Sequence, residues 1–264
     1  SIRLFAFSGI CKCFLGMTVV DLSYGGTTAV TGSTITTDNR ERVVETDITL
    51  KNDIVVPQGF AINDGTLNLN GHVLTVQGDL IQSAGNVKIY GGILKVEGDY
   101  RIQRKLSSGG YGESDGRLDM STFDGEGKIS VGRNFVIQST EASTLERGTL
   151  CIAGDFEQKN TDKRKDNFVP DSYFVTQFLG EKKHTIMFEN SNANRMGEIV
   201  TEGDIIVNSD MIIDGDFDLN AHTVNIHGNL LQTSGTMYIN GGDLDVDGDY
   251  YIAGKRKEIE DDGT

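Results

Sequence analysis

The chain has no tryptophan, two prolines and three cysteines among 264 residues, and each scarcity narrows the reading. Proline cannot donate to a β-ladder and is confined to sheet edges and bends, so a chain almost without it can run many strands uninterrupted. The cysteines, Cys11, Cys13 and Cys151, are odd in number and show no metal-ligand spacing beyond Cys11-Lys12-Cys13. That argues against a disulfide framework and leaves one free or intermolecular thiol. No run of about eighteen apolar residues occurs, so no membrane-spanning helix is expected. Apolar residues at helical spacing are also missing over any useful length. Positive charge is the minority: 24 Lys and Arg stand against 39 Asp and Glu, a formal charge of −15. A phosphate backbone requires a basic surface, so nucleic acid is not an expected partner, and neither is an anionic lipid surface. The acidic excess reads as a solubilising outer face.

What is present is a repeat. Residues 63–103 (NDGTLNLNGHVLTVQGDLIQSAGNVKIYGGILKVEGDYRIQ) repeat within themselves. Leu67, Leu69, Leu74, Val76, Gly78, Asp79 and Leu80 recur twenty positions on as Val87, Ile89, Leu94, Val96, Gly98, Asp99 and Tyr100. The whole stretch recurs at 213–253, without a gap and at a constant offset of 150, with 18 of 41 positions identical. A fixed period of this size marks a repeat architecture. Within a unit, apolar and polar residues alternate (Leu67-Asn68-Leu69-Asn70, then Leu74-Thr75-Val76-Gln77), which is the two-residue period of a strand. Asn70-Gly71, Gly78-Asp79 and Gly91-Gly92 are turn formers, drawn from a supply of 33 glycines.

Three short strands and their turns fill one rung, and a single rung cannot bury its inward Leu and Val. Rungs stacked about 4.8 Å apart pair every strand with its copies above and below, placing Leu67 over Val87 and Val76 over Val96. The expected fold is all-β: a single-stranded parallel β-helix (β-solenoid) of about 20 residues per rung, right-handed by the rule for parallel crossovers.

The solenoid is expected over 41–254 as one domain, with looped-out insertions near 104–128, rich in Gly and Ser, and 159–172, rich in charge. ISVGRNFVIQ resumes the rung signature after the first insertion, Phe135 and Ile137 taking the places of Tyr100 and Ile102. Gly154-Asp155-Phe156 repeats Gly98-Asp99-Tyr100. SYFVTQFLGEKKHTIMFENSN reads either as a hairpin-like pair or as a longer rung. Residues 255–264 form a charged tail. Residues 1–40 differ from the rest, and 25–40 read as a Thr-rich linker. Phe5, Phe7, Phe14 and Leu15, with Cys11 and Cys13 among them, read as an N-terminal cap or as a strand donated to a neighbouring subunit. In an oxidising setting the two thiols could then lock an assembly. The chain opens on Ser1 rather than Met, as a processed or partial sequence would, but a basic n-region and a cleavage site are not evident.

The succession LNLNGHVLTVQGDLIQ, YGGILKVEGDYRIQ, FVIQ, GTLCIAGDFEQK and GEKKHTIMFEN, over about residues 60–253, resembles a repeat domain of secreted and cell-surface proteins of Gram-positive, clostridia-like bacteria. The order and spacing of the motifs carry the resemblance. Residues 1–40 and the short length depart from it. The resemblance implies an extracellular, cell-surface setting and brings no assigned chemistry.

Catalysis is not expected. Asp79, Asp99, Asp155 and Asp249 follow Gly in the turns, where Asp caps its own backbone, and His72 and His222 are one position in two copies. A residue found in rung after rung is a structural device. His184, His227 and Cys151 form no nucleophile–base pair, and analogy with polysaccharide-active β-helices is a weak warrant. Asp214, Asp216 and Asp218, and likewise Asp243, Asp245, Asp247 and Asp249, alternate as if along single strands, which would crowd their carboxylates on one face. Calcium, with its oxygen ligands, would relieve that crowding; a solvated acidic face is the other reading. No other cofactor is expected. The expected role is structural: a non-enzymatic extracellular subunit that self-associates, end to end or by strand donation, into a surface fibre or appendage. The alternative is a carbohydrate-binding adhesin module that meets a cell-surface glycan through Tyr111, Tyr173 and Tyr238, with a polysaccharide-active enzyme behind it.

Overall fold

The computed structural model describes residues 42–121 and 126–253. The assembly candidates Phe5, Phe7, Cys11, Cys13, Phe14 and Leu15, and the charged tail, lie outside the described residues. Every regular element among the described residues is a strand. The chain winds as a parallel β-solenoid with three faces, visited in the same order on each turn. Face I is a ten-stranded sheet from Arg42–Val44 to Asp243–Val246, so the coil makes about ten turns. Face II holds five strands from Ile48–Thr49 to Thr144–Leu145, and later three more: Met211–Asp214, Leu230–Ser234 and Tyr250–Ile252. Face III is a nine-stranded sheet from Ile54–Val56 to Met237–Tyr238.

Alternation does the packing. Leu67 pairs with Val87, Leu74 with Leu94, and Val76 with Val96, and all six side chains are buried in one continuous core. Each such burial contributes about 1.5–3 kcal/mol, and the ladder repeats it turn after turn. Aromatic side chains take over on face I where turns lengthen. Tyr100 meets Phe135 edge-on with centroids 5.4 Å apart, Phe135 stacks on Phe156 at 5.9 Å, and Phe168 meets Phe156 at 4.7 Å. The Tyr100 hydroxyl donates to Gln82 Oε1 at 2.7 Å, and Gln82 Nε2 donates to the carbonyls of Gly85 and Arg117. Burial pushes the Tyr100 phenol above its ordinary ionisation range. The second copy repeats the arrangement with Tyr250, Gln232 and Gly235.

The insertions leave the coil only at corners. Tyr100 pairs directly with Phe135, although they lie 35 positions apart. The extra residues include a hairpin, Arg104–Lys105 with Tyr111–Gly112, the one antiparallel pair among the described residues. The segment around 159–172 runs where face II would place a strand. Phe168 fills the core there, Asp171 N–H donates to the Leu145 carbonyl, and Arg195 N–H donates to the Phe168 carbonyl. Met196 then bridges to Ile213, so face II continues across the gap. The stretch read as a hairpin-like pair or a longer rung is a rung. Phe174–Phe178 lies on face III and His184–Phe188 on face I, each between parallel neighbours.

The two long copies do not occupy the same faces. Leu67 is on face II, Leu74 on face III and Leu80 on face I; their counterparts Phe217, Val224 and Leu230 are on faces III, I and II. Copy two is therefore advanced by one face. The Gly-Asp signature is still on face I at Phe156–Gln158, so the slip falls after residue 158, in the region where face II lacks strands. Backbone pairing does not read side chains, and any inward Leu, Val, Ile or Phe fills any face.

Corners keep their own geometry through that slip. Asn70-Gly71, Tyr90-Gly91, Asn220-Ala221 and Asn240-Gly241 all have two consecutive positive φ angles. Each is closed by a hydrogen bond, His72 N–H to the Leu69 carbonyl in the first and its equivalents in the others. These are type I′ turns. Ala221, at φ 65°, carries a Cβ into the left-handed region where its three equivalents have Gly. The strain is about 1 kcal/mol. Ala221→Gly is expected to raise stability by about 0.5–1 kcal/mol, read as a higher urea midpoint at unchanged slope. A lower midpoint would mean that this corner is not a left-handed turn.

Candidate functional site

The recurrent carboxylates face the neighbouring turn. Asp79 Oδ1 accepts the Asp99 N–H at 2.9 Å, and Asp99 Oδ1 accepts the Asn134 N–H at 3.0 Å. Asn134 Oδ1 takes the Asp155 N–H, and Asp155 Oδ1 takes the Thr185 N–H. The same relay joins Asp210, Asn229 and Asp249 in the last turns. Asp47, Asp53, Asp204 and Asp216 do likewise at other corners. Each turn's side chain thus satisfies a backbone N–H of the next, always in the same direction along the coil. The expectation that these Asp residues cap their own turns is corrected: a corner amide needs an acceptor, and the nearest one lies one rung back. Self-capping occurs instead at strand ends, where Asn68 and Asp218 accept the N–H two residues on. The signal for the relay was available in sequence, because its positions accept Asn as readily as Asp, which marks an acceptor oxygen and not a charge.

The aspartates read as calcium candidates are distributed by this logic. Asp214 ends a face II strand, is buried, and accepts the Thr233 and Ser234 hydroxyls. Asp216 lies past the corner and Asp218 is on face III, so the three do not share a strand. Asp243 and Asp245 point outward from one face I strand. Asp247 Oδ2 lies 2.8 Å from His227 Nδ1, and Asp249 Oδ2 accepts the Tyr251 hydroxyl. Among the described residues no group of three or more His, Cys, Asp or Glu is arranged to hold a metal ion.

The histidines follow the repeat. His72 faces Asp53 and His222 faces Asp204, at 3.5 and 3.9 Å. His184 is buried with Nδ1 2.7 Å from the Gly154 carbonyl and Nε2 3.2 Å from that of Gly180. Cys151 is covered on the outer side of face III, 3.6 Å from Gln177 Oε1, and burial raises its thiol pKa. The tyrosines suggested for glycan contact are exposed but sit on separate elements: Tyr111 on the hairpin, Tyr173 before a face III strand, and Tyr238 on the last turn.

A built concavity lies at the hairpin. It rests against the Leu80–Gln82 strand of face I and leaves a groove on either side, both floored by Ile81 and walled by Lys105. Arg101, held by Asp99 at 2.8 Å, stacks on the Tyr111 ring at 4.6 Å and fixes the hairpin root. Nothing in the sequence period pointed to this place, because the hairpin interrupts the period. No family model, curated protein or solved structure matches the chain.

The relay predicts a ranking at Asp99. Asp99→Ala strands the Asn134 N–H and frees Arg101, which should cost about 2–3 kcal/mol. Asp99→Asn keeps an acceptor, as Asn134 and Asn229 do naturally, and should cost less than half as much. Equal losses in urea unfolding would show that the Arg101 ion pair, and not the relay bond, is what matters.

Proposed function

We propose that this chain is a structural β-solenoid subunit that joins copies of itself end to end in an extracellular assembly. The carrying observation is the last described turn. Ile239, Tyr250 and Ile252 are 41%, 39% and 74% exposed, whereas Leu219, Leu230 and Gln232, one turn earlier, are buried. Inward residues direct their backbone groups to the following turn, as the Leu230 N–H does to the Asp249 carbonyl. Among the described residues, Met237–Tyr238, Asp243–Val246 and Tyr250–Ile252 have no strand on that side. An apolar, unpaired edge is a template for strand addition. A copy adding there meets a different surface from the one it offers, and a heterologous contact of that kind propagates as a filament.

The motif resemblance to secreted surface proteins supports the extracellular setting. The engagement of the recurrent Asp and His residues with neighbouring turns supports a role without catalysis. The donated-strand version, through residues 1–24, rests on residues outside those described and stays a second form of the same proposal.

Light scattering and negative-stain microscopy over a concentration series test this. The full chain should assemble as concentration rises. Ile252→Lys, which places a charge on the open edge, should stay monomeric with an unchanged melting temperature. A full chain that is monomeric throughout, or a variant that assembles like the parent, would contradict the proposal.

A further inference from the structure

The hairpin grooves carry an inference independent of assembly. We infer that the hairpin Arg104–Gly112 and the outer side of face I beneath it bind an anionic saccharide strand. The chain carries a charge of −15, yet cations gather here. Arg101 and Arg133 are neutralised by Asp99 and Asp79, at 2.8 and 3.3 Å. Lys105, which walls both grooves, and Arg104, which lines one of them, are exposed. Neither has a carboxylate within ion-pair distance among the described residues. A surface that is acidic elsewhere repels anions, so an unneutralised pair of cations over a formed groove selects for them locally.

The lining states what kind of anion fits. The floor is shallow and apolar, made by Ile81 and Ala61, which are buried even though they lie on the outer side of the sheet. Asn63 and Ser83 add a neutral amide and a hydroxyl along the walls. Tyr111 offers an aromatic surface, 37% exposed and held by Arg101. Asp79 and Asp115 also line the grooves, but Asp79 is engaged by Arg133 and the Asp99 N–H, and Asp115 by the Thr140 hydroxyl. A flat ring with hydroxyls for the neutral polar groups, C–H groups for the tyrosine and a carboxylate for Lys105 matches the rest. The two grooves share Ile81 and Lys105, so a linear ligand would lie across the hairpin root with charges on both sides of it. Double-stranded nucleic acid has no matching basic stripe to follow.

The arrangement of rungs explains why the site is here. Outward positions on an uninterrupted coil form flat sheets, and a flat sheet has no groove. The insertion at this corner folds back as a hairpin, closed by the Leu106 N–H to the Gly110 carbonyl at 3.0 Å, and raises the walls.

The test is calorimetric titration of the full chain with a galacturonic-acid oligomer, a neutral dextran oligomer and polyphosphate. The galacturonic-acid oligomer should bind and dextran should not. Lys105→Glu and Tyr111→Ala should each weaken binding at least about tenfold, while Lys182→Glu, in an exposed turn away from the hairpin, should leave it unchanged. Without any variant, carbodiimide should couple the bound oligomer to Lys105 of the parent chain in preference to other lysines. No binding of the uronate oligomer, equal binding of dextran, or coupling spread evenly over the lysines would overturn the inference. So would the uronate oligomer binding as tightly to Tyr111→Ala as to the parent, which would reduce the site to a patch of charge.

Discussion

Each turn of this coil depends on the next for its backbone hydrogen bonds. A strand of two to five residues cannot stand alone in water, and in a parallel arrangement it cannot pair with its sequence neighbour. Its partners are the strands one turn before and one turn after. That constraint explains why most inward positions are Leu, Val, Ile or Phe along the coil, why extra residues leave only at corners, and why the corner carboxylates look across to the neighbouring turn. It also sets apart the last described turn, where Ile239, Tyr250 and Ile252 are exposed.

Two kinds of interaction divide the work. Backbone pairing and inward burial are indifferent to which apolar residue comes next, so they hold the coil together without fixing which segment lies on which face. The type I′ corners and the Asp/Asn relay are specific, but they act locally, over one corner or one turn. A sequence unit can therefore move by a whole face, as residues 213–253 have done relative to 63–103, and keep its corners, its Tyr–Gln pair and its relay intact. The slip is absorbed where Phe168, Asn167 and Asn194 replace a strand. Gln158 donates to Asn167 Oδ1 there, and Asn194 Oδ1 accepts the Phe168 N–H.

The parts of the fold that follow from periodicity were legible. Leu67 over Val87 and Val76 over Val96 could be written down from spacing alone, because a constant period puts like residues over like. The face occupied by each unit was not legible, since offset alone does not reveal how many corners an irregular segment crosses. The relay at Asp99 left one trace in sequence, Asn in place of Asp at its positions, but was missed because its acceptor and donor are adjacent only after stacking. The hairpin grooves were hidden because Arg104, Lys105 and Tyr111 sit in an interruption, where the repeat offers no template. Tyr111 was singled out for its chemistry, but the floor at Ile81 and the second cation at Arg104 come together only in three dimensions.

The central claim is that backbone stacking, and not the identity of the repeat unit, decides which residues are neighbours. Ile206 and Asn225 are outward residues paired across adjacent turns of face I, at a spacing of about 4.8 Å that suits a disulfide. Had the second copy kept the faces of the first, Asn225 would lie on face III, where Val200 is the outward residue of the strand before the second copy. In a chain with Cys11, Cys13 and Cys151 replaced by Ser, mild oxidation should cross-link Ile206→Cys with Asn225→Cys and leave the Val200→Cys and Asn225→Cys pair reduced. A cross-link through Val200 and none through Ile206 would contradict the account.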